Sequence, residues 1–119
     1  MVNLKFLPES AISVSEEALT ELNFGNIVRG NSKTMALKIG NTGSSIAESV
    51  VLRVEGGDPA VAWKTISVDD GGSWKTEAQL DNIPATDGLS KVVKIKSTVP
   101  AEATTGLHTT DLRVEYIYV

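Results

Sequence analysis

An acidic turn spans the run from Ser67 to Trp74 of this 119-residue sequence and carries two adjacent aspartates between two serines. Calcium prefers several oxygen ligands, so Asp69 and Asp70, together with Asp58, are candidate ligands of a calcium site. The run lacks the longer acidic spacing of an EF-hand loop. We therefore expect a structural turn here, with no bound metal and no cofactor.

His108 is the only histidine in the chain. A serine or threonine hydrolase would need it beside a hydroxyl nucleophile and an orienting acid. Thr109, Thr110 and Asp111 follow in sequence, but alternation along a strand sends neighbouring side chains to opposite faces. We therefore predict no catalytic residue, a non-enzymatic protein, and a solvated turn position for His108.

Four aromatic residues could form a carbohydrate-stacking face if two of them shared one exposed surface: Trp63, Trp74, Tyr116 and Tyr118. Large aromatic side chains contribute strongly to cores, and we expect the core to take Trp74 and Tyr116. This leaves Trp63 and Tyr118 as candidate interface residues.

Charge and hydropathy exclude several classes of partner. Fifteen acidic residues against eleven basic ones give a net charge of −4, which repels phosphate backbones and anionic lipid surfaces. The apolar runs are only three or four residues long, far below a membrane span. We expect no nucleic-acid or membrane partner. The amino terminus carries no secretory signal, so the protein works where it is made or has lost its signal.

Two strand patterns separated by a turn occupy the stretch from Leu22 to Ser45. The first is predicted over 22–27, with Leu22, Phe24 and Ile27 as its apolar side chains and Gly25 at a bulge. After a break at 30–32, apolar residues occupy every second position, which is the period of a half-buried strand. These residues are Met35, Leu37 and Ile39.

The rest of the chain repeats this arrangement of short strands and turns. Strands are predicted over 2–7, 11–15, 46–55, 61–68, 74–80, 91–98 and 107–119. The turn at 69–72 joins two of them into a hairpin. Residues 15–21 fit either one helical turn or a polar spacer, and we favour the spacer.

Predicted inward-facing residues follow from the same alternation. They are Val50, Leu52, Val54, Ile66, Val68, Val93, Ile95, Leu112, Val114 and Tyr116. Seven or eight strands without a convincing helix indicate an all-β fold. We predict a single antiparallel immunoglobulin-like β-sandwich over residues 1–119, with a closed barrel as the alternative.

Three stretches resemble known families. LNFGNIVRGNSKTMALKIGNTGSS, with its LxFG start and NTG turn, resembles the immunoglobulin-like domains of the abnormal-spindle and Hydin type. The second half of the chain resembles immunoglobulin-like domains in structural proteins of tailed bacteriophages. It has a tryptophan-bearing hairpin, a strand that ends in Thr98 to Ala101, and the run from Ala103 to His108 before the final strand.

The third resemblance concerns the acidic turn, where Ser67, Asp69, Gly71 and Trp74 fit the Asp-box pattern S-x-D-x-G-x-[S/T]-W. In that family the motif is a structural hairpin. The aspartate side chain points toward the backbone of the turn, and the tryptophan packs beneath the hairpin. The resemblance implies the same arrangement here. A single copy cannot build the propeller in which the motif recurs.

These observations lead to two hypotheses. The first is a non-enzymatic structural or interaction module, a virion-associated decoration, head or tail protein of a tailed bacteriophage. Its partner would be a protein surface of the capsid or tail, its location the virion, and it could form homo-oligomers. The alternative is a carbohydrate-binding or adhesion module of a secreted or surface bacterial protein.

Overall fold

The computed structural model describes residues 1–117, which form eight β-strands and one 3₁₀ helix. The strands are β1 (Leu4–Pro8), β2 (Ser32–Asn41), β3 (Glu48–Glu55), β4 (Lys64–Ser67), β5 (Glu77–Gln79), β6 (Gly88–Leu89), β7 (Val93–Thr98) and β8 (Asp111–Ile117). The 3₁₀ helix spans Pro59–Trp63, between β3 and β4. Within residues 1–117 no helix is long and apolar enough to cross a membrane.

The strands form two antiparallel sheets. The larger has the order β1-β2-β7-β4, with β6 also pairing with β2, and the smaller has the order β5-β3-β8. Buried apolar side chains from both sheets form one core between them: Leu37, Ile39, Ile66, Val93 and Ile95 from the larger sheet, and Val50, Leu52 and Ala78 from the smaller. The prediction of an antiparallel immunoglobulin-like β-sandwich is confirmed.

Alternation is clearest in the strands that cross the middle of each sheet. In β7, Val93 and Ile95 are buried while Lys94 and Lys96 are only partly covered. In β3, Val50 and Leu52 are buried and Arg53 lies on the other face. These strands match their predicted bounds to within two or three residues, because one buried face and one wet face impose the period of two directly.

The strand predicted over 22–27 does not form. The backbone amide of Gly25 donates to the side chain of Asn23 at 2.8 Å, and Gly25 has a φ of +67°. Such a local side-chain bond competes with strand pairing. Leu22 and Phe24 nevertheless pack against the core from this irregular segment.

The strand predicted over 61–68 starts later than expected. Asp58 caps the 3₁₀ helix by accepting a hydrogen bond from the Ala60 amide, and Pro59 occupies the first turn. An N-cap aspartate followed by proline favours a helical start. Only Lys64–Ser67 is left to form β4.

The predicted hairpin of 61–68 with 74–80 is limited to one bridge. Ile66 and Lys75 exchange both backbone hydrogen bonds, after which the chain crosses to the other sheet and β5 pairs with β3. Residues 11–21 contain neither the predicted short strand nor a helical turn.

The final strand begins at Asp111 rather than Leu107, and its core face is shorter than predicted. Leu112 and Val114 pack against the core, but Tyr116 is 39% exposed. Its predicted place in the core is therefore wrong.

Candidate functional site

The acidic turn is closed by its own side chains. The Asp69 carboxylate accepts hydrogen bonds from the Ser67 hydroxyl at 2.7 Å, and from the amide and the hydroxyl of Ser73 at 2.9 Å each. These bonds, the one from Ser67 above all, lower the pKa of Asp69 from 3.8 to about 2. The Ser67 hydroxyl also accepts from the Gly71 amide, so Ser67, Asp69, Gly71 and Ser73 form one hydrogen-bond network.

The backbone of this turn has positive φ at both central positions, 59° at Asp70 and 86° at Gly71. This is the pattern of a type I′ turn, the tightest connection between antiparallel strands. Gly71 is needed there because a side chain resists the left-handed conformation.

Trp74 does not enter the core, which corrects the sequence expectation. It is partly exposed, and the Lys96 ammonium lies 4.2 Å from its ring centroid. Lys94 pairs with the Asp70 carboxylate at 2.7 Å. Since Lys94 and Lys96 share the outer face of β7, the hairpin lies against the outside of the larger sheet.

A cleft of about 950 Å³ opens between the two sheets on the other side of the core. Its apolar lining comes from both sheets, the segment 19–27 and the 3₁₀ helix: Phe6, Leu22, Phe24, Leu37, Val54, Trp63, Ile95 and Leu112. Polar side chains line the rest of it, including Lys64, Thr104 and His108. One wall is the loop 104–110. Of the two predicted interface residues, Trp63 lies in this cleft, and Tyr118 lies outside the described residues.

His108 stands at the wall of the cleft and is not the solvated turn residue that we expected. Its Nδ1 lies 2.9 Å from the Asp58 carboxylate, and its Nε2 lies 2.9 Å from the Thr104 carbonyl oxygen. Its ring also meets Trp63 edge to face, with centroids 4.8 Å apart. The His108 side chain is only 19% exposed.

Two acceptors on the two ring nitrogens favour the doubly protonated imidazolium, which alone donates from both. The bond to the Thr104 carbonyl, and next that to Asp58, raise the pKa of His108 above its ordinary 6.5. The Ala60 amide, and next His108, lower the pKa of Asp58. Burial lowers the pKa of Lys64, whose ammonium lies 5.6 Å from the Phe24 ring centroid.

The cluster joins two parts of the chain that are distant in sequence. Asp58 caps the 3₁₀ helix, Thr104 and His108 belong to the loop before β8, and Trp63 ends the 3₁₀ helix. Neither ring nitrogen of His108 faces a hydroxyl group. The two contacts of the His108 ring hold the loop 104–110 against the 3₁₀ helix.

The three aspartates considered as calcium ligands are separately engaged. Asp58 bonds His108 and Ala60, Asp69 bonds Ser67 and Ser73, and Asp70 pairs with Lys94. In the part of the chain that the structure describes, no three His, Asp or Glu side chains are grouped to hold a metal ion.

We expect Asp69→Ala to lower the melting temperature, because the Ser67 and Ser73 donors lose their acceptor. The depressed pKa means that this stabilisation is present above pH 3.8 and is lost as the pH falls through about 2. Thermal melts of both proteins across this pH range test it. Asp81→Ala is the control, since the Asp81 side chain is 91% exposed. A chelator should change neither melt, and a chelator-induced drop that Asp69→Ala abolishes would show a metal site instead.

We also expect the imidazole of His108 to titrate above pH 6.5. Because it is the only histidine, its ring proton resonances in an NMR titration are unambiguous. Asp58→Asn should lower this pKa while keeping a good helix cap, and Lys64→Gln should raise it. Stabilisation by His108 should be full below pH 6.5 and lost as the pH rises through the raised pKa. A titration at or below 6.5 would contradict the described pairing.

Comparisons with known proteins complete the description. No protein-family model matches the sequence, and no curated protein matches it either. Among solved structures, the fold is similar to the ASH/PapD-like domain 7 of human CEP192, with a TM-score of 0.32 and 15% identity. The match covers 76% of this chain and 73% of that domain. The immunoglobulin-like sandwich assigned above stands on the strand pairing of this chain itself.

Proposed function

We propose that this protein is a non-enzymatic interaction module that binds a protein surface, as a virion-associated component of a tailed bacteriophage. The observation that carries the binding role is the cleft of about 950 Å³ between the sheets, which is lined by both apolar and polar side chains and has Trp63 in its wall. Large apolar concavities on small domains are typical binding sites. An aromatic side chain at the edge of such a cleft is a common anchor of protein interfaces.

The polar cluster beside the cleft supports a binding role over a catalytic one. His108 uses both ring nitrogens to hold the loop 104–110 against the 3₁₀ helix. A general base needs a free nitrogen within reach of the proton that it removes. The cluster therefore stabilises a wall of the cleft, which is what a binding surface requires.

The assignment to a phage particle is supported by the resemblance of the turns around 98–108 to phage structural domains. Net negative charge agrees with a partner other than nucleic acid. The partner surface would belong to the capsid or the tail.

Mass spectrometry of purified particles, from the phage that carries the gene, tests the location. We expect the protein at a fixed copy number per particle, and its absence from particles would refute the virion assignment. Glycan arrays with the same protein test the carbohydrate-binding alternative, which would be favoured by specific binding.

A matched pair of tryptophan variants tests the cleft. Trp63→Ala should reduce incorporation into particles, because it removes an aromatic wall of the binding surface. Trp74→Ala should leave incorporation unchanged, since Trp74 lies against the outside of the larger sheet. Circular dichroism of both variants checks the fold. Equal incorporation of the two variants would argue against the cleft as the docking site.

A further inference from the structure

The outer edge of β8 is the longest open strand edge of the smaller sheet. β8 spans seven residues and pairs with β3 on one side. Among the strands of residues 1–117, none pairs with its other side. An unpaired edge presents a row of backbone donors and acceptors that another strand can join.

Charged side chains on the outer face of β8 form an ion-pair network with those of β3. On the outer face, Glu77 of β5 lies opposite Arg53 of β3, and Arg53 lies opposite Arg113 of β8. Two arginines therefore stand side by side in one row, and Glu55 and Glu115 each pair with both of them. Residues directly opposite each other across strands interact, and like charges there are unfavourable.

The neighbouring row carries the opposite sign at the edge. Glu115 lies opposite Val51, whose other neighbour is Gln79. Arg113 and Glu115 contact each other at 3.3 Å and remain 57% and 43% exposed. Asp111 shares this face, so the open edge displays Asp111, Arg113 and Glu115 at alternate positions of β8.

We propose that a second copy of this chain joins the β8 edge, forming a two-fold dimer in which the two β8 strands pair antiparallel with Val114 opposite Val114 of the partner subunit. Arg113 then lies opposite Glu115 of the partner subunit, and Glu115 opposite the partner's Arg113. The row of Glu77, Arg53 and Arg113 gains an acid at its basic end. A two-fold axis makes both pairs form at once.

Charge and face alternation select this register among the alternatives. Directly opposite residues of two antiparallel strands lie on the same face of the sheet. If the two-fold axis passed between two residues, so that residue 113 lay opposite residue 114, polar outer-face side chains would lie against apolar core-face ones. Centring the pair on Arg113 or on Glu115 would oppose like charges. Centring it on Leu112 would set Asp111 opposite Arg113 but would pair only residues 111–113 of the two strands, whereas Val114 is the midpoint of β8. Centring it on Val114 gives two attractive pairs on the outer face and sets Leu112 opposite Tyr116 on the other. The two three-stranded sheets then form one six-stranded sheet across the dimer. This inference does not depend on the proposed binding role of the cleft or on the proposed virion location.

Sedimentation velocity over a range of concentrations, at about 0.15 M salt, tests the dimer. As its concentration rises, the apparent mass of the wild-type protein should increase toward twice the chain mass of 12.6 kDa. Arg113→Glu and Glu115→Arg each turn two attractive pairs into two repulsive ones. Each variant alone should therefore dimerise at least about tenfold more weakly.

An equimolar mixture of these two variants provides the sharpest test. In a mixed dimer, Glu at 113 faces Arg at 115, and Glu at 115 faces Arg at 113, so both pairs are attractive again. The mixture should regain the wild-type tendency to dimerise, which each variant alone has lost by at least about tenfold. Lys91→Glu makes the same charge change as Arg113→Glu at an 85% exposed loop side chain, and it should dimerise like the wild type.

Hydrogen exchange on the wild-type protein gives a reading that needs no variant. Protection of amides in β8 should rise with protein concentration, while that of other edge strands should not. A monomer at every concentration would overturn the proposal. It would also be overturned by variants that dimerise like the wild type, by a mixture that stays monomeric, or by β8 amides with concentration-independent protection.

Discussion

Replacing Leu52 by alanine should lower the free energy of unfolding by roughly 2–5 kcal/mol. Leu52 is fully buried in β3, the central strand of the smaller sheet, where it lies opposite Ala78 on one side and Val114 on the other. Truncation there removes apolar burial and leaves a cavity that backbone pairing on both sides prevents from closing. The loss is a large fraction of the stability of a small domain.

Urea denaturation followed by circular dichroism measures this loss, and Leu107→Ala is the matched control. Leu107 is 91% exposed, so the same chemical change removes almost no buried area. We expect a midpoint close to that of the wild type for the control and a much lower one for Leu52→Ala. Equal midpoints for the two variants would contradict the assignment of β3 to the centre of the core.

The second large effect is expected at Asn41, the fully buried last residue of β2. Its side-chain amide donates to the carbonyl oxygens of Ser45 at 2.8 Å and of Ile83 at 3.3 Å. Its side-chain oxygen accepts from the amides of Gly43 at 2.9 Å and of Asn3 at 3.3 Å. One side chain therefore joins the start of the chain, the turn after β2 and the loop before β6.

Asn41→Ala should destabilise the protein by roughly 3–5 kcal/mol, because each buried polar group left unpaired costs about 1–3 kcal/mol. Asn41→Asp keeps the shape but loses both donated bonds, so it should also be strongly destabilised. Asn82→Ala, at an exposed position, is the control and should unfold at the wild-type urea concentration. Near-wild-type stability of Asn41→Asp would show that the side chain fills space and does not organise the network.

The sequence alone determined the features that depend on neighbours along the chain. Alternation of Leu37 and Ile39 in β2, and of Val50 and Leu52 in β3, predicts which side chains face the core, because a sheet with one wet face imposes a period of two. Gly71 predicts the tight turn, because glycine adopts the left-handed backbone conformation without strain. Even the 3₁₀ helix had a local signal in Asp58 and Pro59, which the strand prediction over 61–68 overlooked.

The tertiary structure decided what depends on residues far apart in sequence. Periodicity predicts an apolar face at 74–80 but does not determine which strand pairs with this segment. In the structure β5 pairs with β3, in the smaller sheet. His108 follows a turn-like run, yet Asp58, fifty residues earlier, pairs with its ring. The sequence places Asn41 at the start of the NTG turn. Only the packing of three chain segments around its side chain buries it and gives it hydrogen-bond partners in each of them. Each outcome depends on which segments of the chain meet in space. Local sequence patterns do not determine this, because a strand can satisfy its hydrogen bonds with many different partner strands.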